Sequence, residues 1–334
     1  MKVLISTGGT LGHIIPAIDL ANTLAKENNN ILILSNKIDT LIEYITTNRN
    51  IRIKRLPMLP PSRTKLFSLK NLKFISSLSL SLILSFFYIL QFRPNLVLGM
   101  GSYASLAPLI LAWISRIRII LHEQNIIPGM VNRLFSKVAD EIIVYFKPTQ
   151  NYFPNCKSVI VSNPVEKRRK INKQKACEFF GLSKDRFTIL IFGGSQGASS
   201  INRVTTEVLP KLLTNYKVQF IFITGKDNKI NIPQNPYIYL TDFISPWDMD
   251  YAYSAADLVI SRSGACTIAE IMYFKLPAIL IPYPYATSSH QLKNAQFLEN
   301  YNPCIIIKDE DLSGEVLLSS IIKLLSLKEF CHKK

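Results

Sequence analysis

Acidic side chains are scarce in this sequence: 23 Asp and Glu stand against 39 Lys and Arg in 334 residues, a formal net charge of +16. The shortage is uneven, because residues 1–163 hold 18 basic and 7 acidic side chains. Cysteine is sparse too. The five thiols (Cys156, Cys177, Cys266, Cys304, Cys331) are odd in number, widely spaced and form no C-x-x-C pair, which excludes a small disulfide scaffold and fits a reducing compartment. No G-x-G-x-x-G and no Walker loop is present, so ordinary dinucleotide and ATP sites are poor fits. The N-terminus meets glycines and a His too early for a signal peptide. No zinc spacing, helix-turn-helix or RNP-like aromatic motif accompanies the basic charge, so nucleic acid is not an expected partner. What remains is a folding composition, with 48% hydrophobic residues. The length exceeds the roughly 250–300 residues at which one core stops growing, which predicts two domains.

Short apolar, β-branched runs recur at Lys2 to Ser6, Ile31 to Leu34, Ile51 to Lys54, Leu96 to Leu98, Ile117 to Leu121 and Glu141 to Val144. Segments of helical length separate them, the rhythm of a parallel α/β sheet. After a turn-rich stretch from Lys147 to Pro164 the rhythm restarts at Thr188 to Phe192, Val218 to Ile223, Leu258 to Ile260 and Ala278 to Ile281. The expectation is an α/β protein of two doubly wound, Rossmann-like domains, 1–160 and 161–334, with a ligand cleft between them. Phe74 to Phe92 has no charge over 19 positions, yet it contains five serines and lies where a crossover helix is required. Three readings stand: a buried crossover helix, a membrane span, or a helix with an apolar face in a membrane interface. The stretch Arg49 to Lys73 before it carries eight basic residues and no acid, as a contact with anionic lipid would need.

Glycine turns close three of these strands: Thr7-Gly8-Gly9-Thr10-Leu11-Gly12-His13, Gly99-Met100-Gly101-Ser102-Tyr103 and Gly193-Gly194-Ser195-Gln196-Gly197-Ala198. Each permits positive φ and close backbone approach, and each feeds a helix N-terminus that can receive an anion. A fourth site, Arg262-Ser263-Gly264-Ala265-Cys266-Thr267-Ile268-Ala269-Glu270, admits two readings. Thr267 and Glu270 match a capping box; alternatively, amides near Ala265 to Thr267 hold a diphosphate while Glu270 takes a ribose diol. Three of the four histidines, His13, His122 and His290, fall in or beside these loops. At a helix N-terminus the macrodipole disfavours an imidazolium, so His13 can serve as a general base or, equally, as a capping or sugar-binding hydrogen-bond donor. His122-Glu123-Gln124-Asn125 can hydrogen-bond a polyhydroxylated ligand. Asp248-Met249-Asp250 has the letters of a metal-binding carboxylate pair but sits at a predicted helix start, where carboxylates favour the dipole.

Taken together, G-G-T-L-G-H-I-I-P-A (8–17), L-G-M-G-S-Y (98–103), L-H-E-Q-N (121–125), N-P-V (163–165), F-G-G-S-Q-G-A (192–198), D-F-I (242–244), R-S-G-A-C-T-I-A-E (262–270), L-P-A-I-L-I-P (276–282) and H-Q-L-K-N-A (290–295) resemble the MurG family in order and spacing. These are the UDP-GlcNAc:lipid I N-acetylglucosaminyltransferases of bacterial peptidoglycan synthesis. The resemblance implies a GT-B fold of two facing domains, inversion, no metal and no cofactor. It implies donor contacts from Ser195, Ile244, Arg262, Ala265, Cys266, Thr267, Glu270 and Gln291, with Thr10, Leu11, Gly12, His13 and Asn125 closing the site. Gly101, Tyr103 and His122 would lie on the acceptor side, and His13 or Glu123 would be the base. The implied partners are UDP-GlcNAc, undecaprenyl-linked lipid I and the anionic cytoplasmic face of the bacterial inner membrane, to which Arg49 to Phe92 would dock peripherally.

Departures from the family pattern are Leu11 and Ser102 for glycines, Glu166 for an Arg after N-P-V, and a final helix expected to be shortened or absent. With Glu166 in place, the corresponding donor contact depends on Arg168 reaching in. Two alternatives follow: another GT-B transferase with a lipid acceptor, or an inactive descendant that scaffolds other cell-wall enzymes.

Overall fold

A computed structural model describes residues 1–9, 11–37, 49–61, 68–194, 197–226, 228, 230–286 and 289–331, without the side chains of Leu11 and 327–331. The chain divides into two compact units, Met1–Asn163 and Pro164–Lys334. Unit one carries a seven-stranded sheet in the order β3-β2-β1-β4-β5-β6-β7, with every pairing parallel. Its strands are β1 (Lys2–Thr7), β2 (Asn30–Ser35), β3 (Ile51–Arg55), β4 (Leu96–Gly99), β5 (Arg118–Glu123), β6 (Glu141–Val144) and β7 (Val159–Val161). The central strands are buried on both faces and read as unbroken apolar runs, whereas edge strand β3 (Ile-Arg-Ile-Lys-Arg) exposes its cations. Such charges guard an open sheet edge against pairing with another chain. The helices of this unit among the described residues are α1 (Leu11–Lys26), α2 (Leu69–Phe92), α3 (Leu106–Ile114) and α4 (Met130–Phe135).

Unit two repeats the plan with six parallel strands ordered β10-β9-β8-β11-β12-β13. They are β8 (Phe187–Phe192), β9 (Val218–Ile223), β10 (Ile238–Thr241), β11 (Leu258–Ser261), β12 (Ala278–Leu280) and β13 (Cys304–Ile306). Its helices are α5 (Lys173–Phe179), α6 (Ser199–Asn215), α7 (Met249–Ala255), α8 (Ala265–Phe274), α9 (His290–Leu298) and α10 (Gly314–Cys331). Strands β7, β10 and β13 were not expected. Each has only three or four residues and is partly exposed, so it shows no period to read. The turn-rich interval Lys147 to Pro164 also holds β7 and a short 3-10 helix, Lys147–Tyr152. In both units the strand order reverses beside the first strand. That places the crevice of a doubly wound sheet beyond the carboxyl ends of β1 and β4 in one unit, and of β8 and β11 in the other.

Of the three readings of α2, the packing goes against the buried crossover. The helix does connect β3 to β4, and it starts at Ser68, whose hydroxyl accepts the Asn71 N–H at 3.3 Å. Its inward stripe, however, is Ser77, Ser81, Ser85 and Ile89, spaced every four residues, while Ile75, Leu80, Ile83, Phe86, Phe87 and Leu90 face outward. Small side chains let α2 lie close against α3. The usual amphipathic order is therefore reversed. The helix is long and apolar enough to cross a membrane.

Candidate functional site

In unit one, β1 ends at Thr7 and α1 begins at Leu11, so His13 occupies the first turn of α1, with its backbone carbonyl accepting the Thr7 hydroxyl at 2.9 Å. Strand β5 runs two residues further than predicted, so His122 and Glu123 are strand residues and not part of the loop after it. Because β4 alone separates β1 from β5, their carboxyl ends lie close together, and His13 Nδ1 comes within 2.9 Å of Gln124 Oε1. Gln124 Nε2 lies 2.9 Å from His122 Nδ1. Burial pushes the His122 imidazole down to about 4, and the neighbouring His13 adds to the effect. His122 is therefore neutral near pH 7, its ring edge-on to Tyr145 at 5.0 Å between centroids.

Glu123 is 1% exposed and both its oxygens are engaged. Oε1 accepts the Asn125 N–H (2.9 Å) and Nδ2 (3.3 Å); Oε2 accepts the Gly129 N–H (2.8 Å) and Asn132 Nδ2 (2.9 Å). Four N–H donors make this carboxylate the organiser of the loop from 124 to 132, and leave it badly placed to take a proton from a ligand. Gly101, at φ +82°, is required here, since a Cβ would stand 2.8 Å from Asn132 Nδ2. Tyr103 receives a hydrogen bond from Asn36 Nδ2 at 2.9 Å, and Asn36 Oδ1 also accepts the Gly9 N–H at 3.2 Å. The first two glycine loops are thus tied together. Gly12 is exposed at the second position of α1. Thr10, the side chain of Leu11, and Ser195 lie outside the described residues.

In unit two, the structure rejects the capping-box reading of Thr267 and Glu270. The N-cap of α8 is Gly264, three residues ahead of Thr267, and no side chain caps it. The first intrahelical bond runs from the Ile268 N–H to the Gly264 carbonyl (2.9 Å), so the amides of Ala265, Cys266 and Thr267 precede the ladder at the positive end of the helix dipole. Glu270 sits one turn deeper, where Arg168 Nη2 binds Oε1 and the Tyr253 hydroxyl donates to Oε2 at 2.8 Å. Arg168 also reaches Asp250 Oδ1 (3.2 Å) and the Pro246 carbonyl (2.7 Å). Burial opposes the Arg168 charge, but Glu270, Tyr253 and Asp250 outweigh it and raise its pKa. Burial raises the Tyr253 hydroxyl well above its ordinary value, and Glu270 adds to this. Glu166 is exposed, so it is Arg168, two residues on, that reaches into the unit. Asp250 is committed to Arg168 and to the Arg169 N–H (3.1 Å), which removes it from any metal-binding pair with Asp248.

Arg262 spends its guanidinium inside the unit, on the Ile281 and Pro282 carbonyls, Ser200 and Asp309. That bracing holds the β11–α8 turn against the start of α6. Gln291 Oε1 accepts the Tyr283 N–H (2.9 Å). Ile244 is half-buried beyond β10. Sequence reasoning passed over Gln124 as a link between imidazoles, Asn132 as a ligand of Glu123, and Tyr253. The motif H-E-Q-N was a signal for the first; nothing local marked the other two.

Two parallel-sheet units, each with glycine turns and helix N-termini at its switch point, make a doubly wound architecture suited to a nucleotide or nucleotide-sugar ligand. The chain matches the Glycosyltransferase family 28 N-terminal domain over residues 3–144 and the family 28 C-terminal domain over 188–334. It is 37% identical to the UDP-N-acetylglucosamine–N-acetylmuramyl-(pentapeptide) pyrophosphoryl-undecaprenol N-acetylglucosamine transferase of Thermodesulfovibrio yellowstonii, over 98% of this chain and 91% of that one. It is 34% identical to the same enzyme of Desulforamulus reducens, with the same coverage. Among solved structures, MurG of Acinetobacter baumannii is similar at a TM-score of 0.72 and 25% identity, covering 97% of this chain and 90% of that one. The chain is a GT-B glycosyltransferase, and it belongs to this N-acetylglucosamine transferase family.

Proposed function

We propose that the protein transfers N-acetylglucosamine from UDP-GlcNAc to the muramyl 4-hydroxyl of undecaprenyl-pyrophosphoryl-MurNAc-pentapeptide, with inversion. The observation that carries the chemistry is His13, held half-exposed at the carboxyl edge of the unit-one sheet by a bond to one ring nitrogen only among the described residues. Its Nε2 takes the hydroxyl proton as the oxygen bonds the anomeric carbon. The bond from that carbon to the diphosphate breaks, and UDP leaves with the electron pair. Unit two supplies the cradle: the α8 amides from Ala265 to Thr267 neutralise charge building on the leaving diphosphate, and Ile244, Glu270 and Gln291 bind the uridine and sugar. Arg168 and Tyr253 hold Glu270 in place for a ribose diol.

Acceptors of this kind are embedded in membrane, and unit one offers an apolar surface to meet it. Phe87 (59% exposed) and Leu90 (57%) project from α2, and Trp113 and Ile114 from the end of α3. Trp113 and Ile114 line an open cavity of about 670 Å³ with Arg116 and Arg118, an apolar surface edged by cations that suits an anionic bilayer interface. Peripheral docking on the cytoplasmic leaflet of the inner membrane is the reading these side chains support.

The test is incubation with labelled UDP-GlcNAc and a lipid I analogue. The expected result is a GlcNAc-extended lipid and one UDP per transfer, with His13→Ala slowed by the roughly 10²–10⁴-fold that a general base contributes while UDP still binds. Transfer from UDP-galactose but not UDP-GlcNAc, or full turnover by His13→Ala, would overturn the assignment.

A further inference from the structure

The Gln124 side chain is 1% exposed and reaches one imidazole with each end of its amide. The orientation of that amide is decided by a third neighbour: Nε2 also lies 3.5 Å from the Met100 carbonyl, which can only accept. With the nitrogen on that side, the oxygen faces His13. An amide oxygen has no proton to give, so His13 Nδ1 carries the hydrogen and the lone pair of the neutral ring is on Nε2. On the other side His122 Nδ1 accepts from the amide, and its own proton is on Nε2. One buried side chain thus determines the tautomers of two rings 109 positions apart in the sequence.

We propose that Gln124 is a positioning residue for the transfer, holding His13 in the tautomer whose basic nitrogen is Nε2. The proposal rests on the reading of His13 as the base. Protonation at Nε2 leaves the Nδ1–H···Oε1 bond in place and makes it charge-assisted, so nothing in the network has to rearrange as the proton arrives. The amide also ends the relay. It has no titratable proton, and burial keeps His122 at about 4, so the proton stays on His13 until solvent or product removes it.

The test is a long-range ¹H–¹⁵N spectrum of the full-length protein with labelled histidine, His13 being assigned by its loss in His13→Ala. The neutral ring is expected to show a protonated Nδ1 and a bare Nε2. Gln124→Leu, close in size but without polar atoms, is expected to lose that signature and to lower kcat at least roughly tenfold, on the scale found for groups that orient a histidine through its second nitrogen. KM for UDP-GlcNAc should stay near the wild-type value. Gln124→Glu, which restores an acceptor to Nδ1, is expected to recover the signature and most of kcat. A wild-type ring protonated at Nε2, or an unchanged kcat in Gln124→Leu, overturns the role of Gln124 even if His13→Ala is inactive. Turnover by His13→Ala instead sinks the assignment of the base itself. Should Gln124→Leu fail to fold, the wild-type spectrum decides alone.

Discussion

Replacing His122 by Asn should change how the stability of unit one depends on pH. His122 is buried at 7% exposure, hydrogen-bonded through Nδ1 to Gln124, and packed against Tyr145. Burial first, and His13 second, take its pKa from 6.5 to about 4. The sign follows from proton counting. Between about pH 6.5 and 4 the unfolded chain binds a proton at this position and the folded chain does not, so acid favours unfolding and stability rises with pH through that window. At 1.36 kcal/mol per unit, the loss attributable to His122 is about 2 kcal/mol at pH 5 relative to pH 7, and on the order of 3 kcal/mol by pH 4. Amide hydrogen exchange of β1, β4 and β5 peptides at pH 5 and pH 7, corrected for intrinsic rates, measures the opening free energy of this unit. Wild type should lose about 2 kcal/mol more than His122→Asn between the two conditions. Equal losses in the two proteins would show that His122 is not held neutral by its surroundings, and would remove the argument that the proton stops at His13.

Three further outcomes are expected. Glu270→Ala leaves the Arg168 cation buried without its principal partner, so unfolding should become easier by roughly 3–5 kcal/mol; calorimetry should also find UDP affinity lost, while intact UDP binding would exclude Glu270 from the donor site. Glu123→Gln places an amide nitrogen among N–H donors and should cost about 1–3 kcal/mol for the buried clash. Turnover of the folded fraction should nevertheless exceed that of His13→Ala, and the opposite ranking would make Glu123 the base. Phe87→Ser with Leu90→Ser should weaken sedimentation with phosphatidylglycerol vesicles without changing UDP affinity, and undiminished vesicle binding would move the docking surface elsewhere.

The parallel sheets were legible because a strand buried on both faces has to be apolar throughout, and ten apolar or alternating runs, the exposed edge strand β3 among them, mark ten of the thirteen strands among the described residues. The glycine loops were legible for a related reason: strand ends that turn at once into helices need residues free of Cβ, as Gly101 illustrates. Placing His13 and the H-E-Q-N run at such ends required only local pattern. Helix α2 shows where local pattern stops short. Its composition admits a buried, a membrane-spanning or an interfacial segment alike, and only packing shows that the serines are its inward face and the large apolar side chains its outward one.

Local composition and period thus determined the class of fold, the order of most of its strands and the loops that carry polar groups, since each of these is a property of neighbours along the chain. Only the tertiary structure decided which groups meet. Strand order sets β1 and β5 one strand apart and so brings Gln124 between His13 and His122. The packing of unit two delivers Arg168 to a carboxylate 102 positions away. Those pairings decide which nitrogen is basic, which carboxylate is occupied and which imidazole stays neutral, because hydrogen bonds and desolvation act through space and leave no period in the sequence.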